Sequence, residues 1–154
     1  MELNAKNQNY RIGISFTGKH RLFVRSIMNE ILKVGFVKNE VFFDEYHEEV
    51  VNGPNADTRF RRIYSEKCDY IIVFLSDDYN TKFWTGGVEW KAIREIINKK
   101  QDKICLLNAD NIDINTVDGL SSYTDIAKNI NTMLPSNVAK FIKKWYDYKQ
   151  TSMS

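Results

Sequence analysis

Tyr70-Ile71-Ile72-Val73-Phe74-Leu75 is the stretch on which the fold turns. All six positions are apolar, and a strand without a polar face has to be covered on both sides, as the central strands of parallel sheets are. Upstream, Ile12, Ile14 and Phe16 alternate with Arg11, Gly13 and Ser15, the period of a strand. From Phe23 the apolar positions Phe23, Val24, Ile27, Met28, Ile31 and Leu32 fall on one stripe of a helix. Val41-Phe42-Phe43 predicts a second strand. A turn-rich stretch, Asn52-Gly53-Pro54-Asn55, then leads to a helix with Phe60, Ile63 and Tyr64 on one side. Downstream, the pattern predicts a helix over residues 89–98, a fourth strand over 104–107 and a weak fifth near 123–126. A closing helix follows Pro135-Ser136, with Val138, Phe141, Ile142 and Trp145 facing inward.

Alternation of strand and helix with crossovers of this length predicts an α/β doubly wound domain. The expected architecture is flavodoxin-like: a parallel sheet of about five strands flanked by helices, over residues 10–148 with short tails at 1–9 and 149–154. The chain of 154 residues has room for one such core. Its 22 basic and 20 acidic residues are scattered, so the net charge of +2 leaves no concentrated basic footprint for a nucleic-acid backbone. Lysines 99, 100, 140, 143 and 144 read as a solvated face. Cys68 and Cys105 adjoin or interrupt apolar runs and have no partner at metal-ligand spacing, so buried reduced thiols are expected. Residues 1–9 are polar, and the longest apolar run, six residues, is far short of the roughly 20 that cross a bilayer. A cytoplasmic protein without a membrane or nucleic-acid partner is expected.

In open parallel sheets ligands sit beyond the carboxyl ends of the strands, so function is sought at four strand exits. The first, Ser15-Phe16-Thr17-Gly18-Lys19-His20, has too few glycines for a phosphate-cradling or dinucleotide loop, and lacks the paired acids of a phospho-receiver. His20 reads as a polar residue at a helix start, since no acid partner is adjacent in sequence. The second exit clusters Asp44, Glu45, Glu48 and Glu49 around Tyr46 and His47, which suits a divalent cation, a basic partner or plain solvation. The third runs from Ser76 through Trp84 to Glu89 and Trp90; the fourth is Asn108-Ala109-Asp110. At about 100° per residue, Glu89 falls on the same arc as Ile93 and Ile96, so a carboxylate heads the core-facing stripe at the ligand edge. A first-turn glutamate also complements the helix dipole, and with Gly86 as N-cap Glu89 stands at the capping-box position. Trp84 suits either a stacking wall for a planar ring or a lid on the core, and Trp90 suits packing.

Taken together, these motifs resemble a family. Ile14-Ser15-Phe16 followed by Phe23-Val24 resembles the opening strand and first helix of Toll/interleukin-1 receptor (TIR) domains. Phe43-Asp44-Glu45 through Gly53-Pro54 resembles their second strand and the long BB loop after it. Val73-Phe74-Leu75-Ser76 with Tyr79, Trp84 and Glu89 resembles the third strand and the tryptophan-to-glutamate motif. The likeness runs from about residue 10 to 145 and is closest to the bacterial, NAD-cleaving kind. It implies a TIR domain acting as an NADase in anti-phage defence, a form of innate immunity. Such domains signal through homotypic assembly driven by a fused or partner sensor domain. It makes Glu89 the catalytic residue, with Phe16, Thr17, Trp84, Asp44 and Tyr46 binding substrate. NAD is then a substrate and not a cofactor, and no metal is required. Two departures stand out: four residues separate Trp84 from Glu89 where the family usually has three, and His20 stands where an acid is common.

Nicotinamide leaves a pyridinium as a neutral ring, so no acid is needed; the demand is for a fixed carboxylate facing the positive charge that develops on the ribose. The expected products are nicotinamide and linear or cyclised ADP-ribose. Two other readings fit the same residues. One is a non-catalytic TIR assembly module, and the other a nucleoside deoxyribosyltransferase-like enzyme, which would prefer free nucleosides.

Overall fold

The structure, a computed structural model, describes residues 9–51, 55–78, 90–99, 101–113 and 127–152. Five strands form one sheet: β1 (Tyr10–Ser15), β2 (Val41–Phe42), β3 (Cys68–Leu75), β4 (Ile104–Asn108) and β5 (Lys128–Asn129). Their order is β2-β1-β3-β4-β5 and every neighbouring pair is parallel. This is the flavodoxin-like order, in which the chain reverses direction across the sheet between β1 and β3. The helices are α1 (Arg21–Ile31), α2 (Glu48–Val51), α3 (Ala56–Arg62), α4 (Trp90–Lys99) and α5 (Pro135–Ser152).

The apolar run places β3 at the centre, with Ile14 beside Ile72 on one flank and Val73 beside Leu106 on the other. Its side chains alternate between two cores. Tyr70, Ile72 and Phe74 join Ile12, Ile14, the α1 stripe (Val24, Ile27, Met28, Ile31) and the α5 stripe (Val138, Ala139, Ile142, Tyr146). Ile71, Val73 and Leu75 join Phe60 of α3, Ile63 and Tyr64 just after it, and Ile93, Ile96 and Ile97 of α4. Each buried Ile or Val side chain contributes about 1.5–3 kcal/mol, which is why a strand apolar at every position belongs in the middle.

Two glycines are set by their surroundings. A Cβ on Gly13 would stand 2.5 Å from Cys68 Sγ and 3.2 Å from the Tyr64 ring. Leaving that space empty lets Tyr64 lie across β1 and donate a hydrogen bond from its hydroxyl to the Ile14 carbonyl at 2.7 Å. Gly35, at φ +120°, turns the chain after α1, a conformation that side-chain-bearing residues rarely adopt.

The expected elements are present with small shifts. β3 begins at Cys68, two residues ahead of the apolar run. The fifth strand sits at Lys128–Asn129, whereas the stretch expected for it, 123–126, lies outside the described residues. Helix α5 runs to Ser152, through most of the span expected as a tail. Trp145 is only partly buried, and Tyr146 takes the inward position beside Phe36 and Tyr70. Both cysteines are buried and outside any disulfide, and burial pushes the Cys105 thiol up to about 12. No helix among the described residues is long and apolar enough to cross a membrane.

Candidate functional site at the carboxyl edge of the sheet

Because all five strands are parallel, every exit opens onto the same edge. The exits of β1, β3 and β4 are tied together there by one carboxylate oxygen. Asp110 Oδ2 accepts from the Asp77 backbone N–H at 2.8 Å, from Ser76 Oγ at 3.0 Å and from Lys19 Nζ at 3.2 Å. His20 Nε2 lies 2.9 Å from the same oxygen, and donates when that nitrogen carries its proton. Lys19 also pairs with Asp77. Burial raises the Asp110 carboxyl, but the hydrogen bonds from the Asp77 backbone, His20, Ser76 and Lys19 outweigh it and hold the group well below the usual carboxylate range.

The local chain places Asp110 for this. After β4 the Asn108 side chain bonds the Ile112 carbonyl at 2.7 Å and accepts from the Ile112 N–H at 3.0 Å, closing a turn around residues 109–111. The Ala109 N–H continues the sheet by donating to the Leu75 carbonyl at 3.0 Å. His20 is the N-cap residue of α1, as its position at a helix start suggested, yet its side chain makes no cap bond and reaches Asp110 instead. The acid partner that the sequence did not offer nearby is supplied from 90 residues along. In the sequence, residues 108–110 stand out only as a strand exit. An acid at such an exit was the available signal; its pairing across the sheet was not.

Beside this cluster the exit of β2 forms a second network. The Arg21 guanidinium meets Asp44 twice, at 2.6 and 3.0 Å, and Glu45 once, at 2.7 Å. Arg25 reaches both oxygens of Glu45, at 2.8 and 3.1 Å. The bonds to Asp44 raise the Arg21 pKa further, and Arg25 leads in lowering that of Glu45. Two of the four clustered acids therefore have their oxygens taken up by α1.

The substrate-binding candidates are placed as follows. Phe16 is fully buried, its ring 5.8 Å from that of Phe43 and covered by Arg21 at 4.9 Å. Thr17 is 1% exposed at the exit of β1, and among the described residues its Oγ1 has no hydrogen-bond partner; the same holds for Ser15 Oγ and Asp78 Oδ1. Buried unpaired hydroxyls cost about 1–3 kcal/mol each, and Ser15 and Thr17 place two of them at the exit of β1. Asp44 is held by Arg21. Tyr46 packs edge-on against Phe43 and donates from its hydroxyl to the Met28 carbonyl at 3.1 Å. The structure thus brings Phe16, Thr17, Asp44 and Tyr46 to one edge, with Phe16, Asp44 and Tyr46 engaged in packing or internal bonds. Trp84 and Glu89 lie outside the described residues. The helix used to phase Glu89 is described from Trp90, and Ile93 and Ile96 are buried at 1% and 6% exposure.

No protein-family model matches the chain. Among curated proteins it is similar to the 3' cyclic ADP-D-ribose synthase AaTIR of Aquimarina amphilecti, with 25% identity over 149 residues. That match covers 97% of this chain and 43% of the relative, so the chain spans less than half of that protein's length. The resemblance to a bacterial TIR domain read from the motifs therefore extends along nearly the whole chain.

Proposed function

We propose that this domain cleaves the nicotinamide–ribose bond of NAD, with Glu89 as the carboxylate that stabilises the developing ribosyl cation. The observation that carries the reading is the similarity, along nearly the whole of this chain, to a cyclic ADP-ribose synthase, on a fold whose strand exits all open on one edge. The phase of α4 supports the choice of acid. Ile93 and Ile96, which share Glu89's arc at about 100° per residue, face the core below the sheet.

The chemistry asks little else of the protein. The bond from ribose C1′ to the pyridinium nitrogen breaks, and its electron pair leaves with nicotinamide. Water or a hydroxyl of the same molecule then attacks C1′ and loses its proton. Water gives ADP-ribose and an internal hydroxyl gives a cyclised isomer. One preorganised anion facing the cationic carbon is worth on the order of 3 kcal/mol, about a hundredfold in rate. We place the activity in anti-phage defence, switched on by self-association, with a sensor region driving assembly.

The experiment is to incubate the protein with NAD, with and without conditions that force self-association, and separate the products by chromatography. Nicotinamide release is expected on assembly, and Glu89→Gln should lower it at least a hundredfold. Full activity in Glu89→Gln removes Glu89 from the chemistry. Turnover of free nucleosides in preference to NAD replaces the reading with a deoxyribosyltransferase-like one.

A further inference from the structure

The chemistry above leaves one step without a named group: the water or hydroxyl that attacks C1′ has to lose a proton. The described edge holds a base suited to it. His20 stands where β1 gives way to α1 and Asp110 follows β4, so the pair joins the exits on either side of β3. The chain reverses across the sheet between β1 and β3, and open parallel sheets take their ligands at that switch point. The turn leading into His20 borders open space, since a Cβ on Gly18 would meet nothing within 4 Å. With Nε2 donating to Asp110 Oδ2 at 2.9 Å, the proton of the neutral ring sits on Nε2 and the basic lone pair on Nδ1. Among the described residues Nδ1 has no hydrogen-bond partner, and the side chain is 12% exposed. The carboxylate that orients the ring is itself fixed, by Ser76, the Asp77 N–H and the turn that Asn108 closes onto Ile112. Because those bonds hold Asp110 well below the usual carboxylate range, it carries its charge whenever the ring takes up a second proton.

We propose that His20 accepts the proton of the attacking nucleophile, with Asp110 setting its tautomer and balancing the charge it acquires. The inference rests on the NAD-cleaving reading and adds the proton acceptor which that reading lacks. In the step, the oxygen of water or of an internal hydroxyl bonds to ribose C1′ while its O–H bond breaks. The proton passes to Nδ1 and from there to solvent, and nothing is oxidised or reduced. His20 acts after nicotinamide has parted from C1′, so its loss is felt in the competition for the ribosyl cation. Capture by a nucleophile that gives up its proton leads forward to product, and recapture by nicotinamide leads back to NAD.

The test is His20→Gln, whose amide still donates to Asp110 but has no basic nitrogen. The assembled protein, unaltered or variant, is given NAD together with isotope-labelled nicotinamide. Formation of linear and cyclised ADP-ribose and entry of the label into NAD are followed in the same sample. In the variant, product formation should fall about tenfold or more, and the ratio of label entry to product formation should rise about fivefold or more. Both rates come from the same active sites, so the ratio does not depend on how much of the variant is folded. A smaller rise in the ratio overturns the proposal whatever happens to the rate, since a merely structural loss lowers both processes together. No detectable label in NAD from the variant overturns it as well. If the unaltered protein forms no product and takes up no label in any assembly state, the NAD reading itself fails, and the role of His20 fails with it.

Discussion

The exits of β2 and β4 solve the same problem in opposite ways. At β2 two acids and two arginines share five hydrogen bonds, and both oxygens of Asp44 and of Glu45 are used. At β4 one oxygen of Asp110 serves four partners from two strand exits. The first arrangement is redundant, because any one contact can fail while Arg21 stays bound to a second acid. The second is convergent: four partners meet at a single atom, and only Lys19 has a second acid, Asp77, among the described residues. Redundancy suits a latch between α1 and β2. Convergence suits the setting of a position, since the partners can all be satisfied only in one arrangement.

The comparison can be broken by substitution. Asp110→Asn should cost about 2 kcal/mol of stability, since the charge-assisted bonds weaken together. The urea midpoint should fall with an unchanged slope. Asp44→Asn should cost about 1 kcal/mol, because the amide oxygen still accepts from Arg21 and Glu45 keeps its charge partnered. If Asp44→Asn proves the costlier of the two, redundancy is not what separates these sites.

Acid titration sharpens the same point. The native pKa of Asp110 lies below its unfolded value, as does that of Glu45. Their stabilisation is therefore complete above the unfolded carboxylate pKa of about 4 and is lost as pH falls through the native values. Unfolding free energy measured between about pH 5 and 2 should drop, and Asp110→Asn should flatten that drop in proportion to its share. The smallest expected effect is that of Arg25→Ala. Its guanidinium is solvent-exposed and Glu45 retains Arg21, so the urea midpoint should move within experimental error.

The sheet was legible in the sequence because its signals are local. Six consecutive apolar residues identify a central strand whatever lies around them, and the stripes of α1 and α5 follow from spacing alone. Even there, Phe141 and Trp145, both expected inward, are only partly buried, and Tyr146 lies inside instead. The edge was legible only in part. Position after a strand marked Thr17, Asp44 and Asp110 as residues at the ligand edge. Nothing in the order of residues links Asp110 to His20 or Arg21 to Asp44, since those pairings arise when the sheet brings together segments 90 and 23 residues apart. The acids after β2 illustrate the loss. As a string they suggest a cation site or a solvated loop, and in space Asp44 and Glu45 are counterions of α1.

The distance along the chain between Asp110 and its partners also sets an order of assembly. Lys19 and His20 emerge from synthesis some ninety residues before the oxygen they bind, and Ser76 and Asp77 more than thirty before it. Until β4 docks against β3, the oxygen they share is missing from the rim, and long-range contacts of this kind form late because closing the intervening chain costs entropy first. A half-made copy can therefore hold β1 and β3 side by side and still lack its finished rim, so the ligand edge is among the last parts of the molecule to exist.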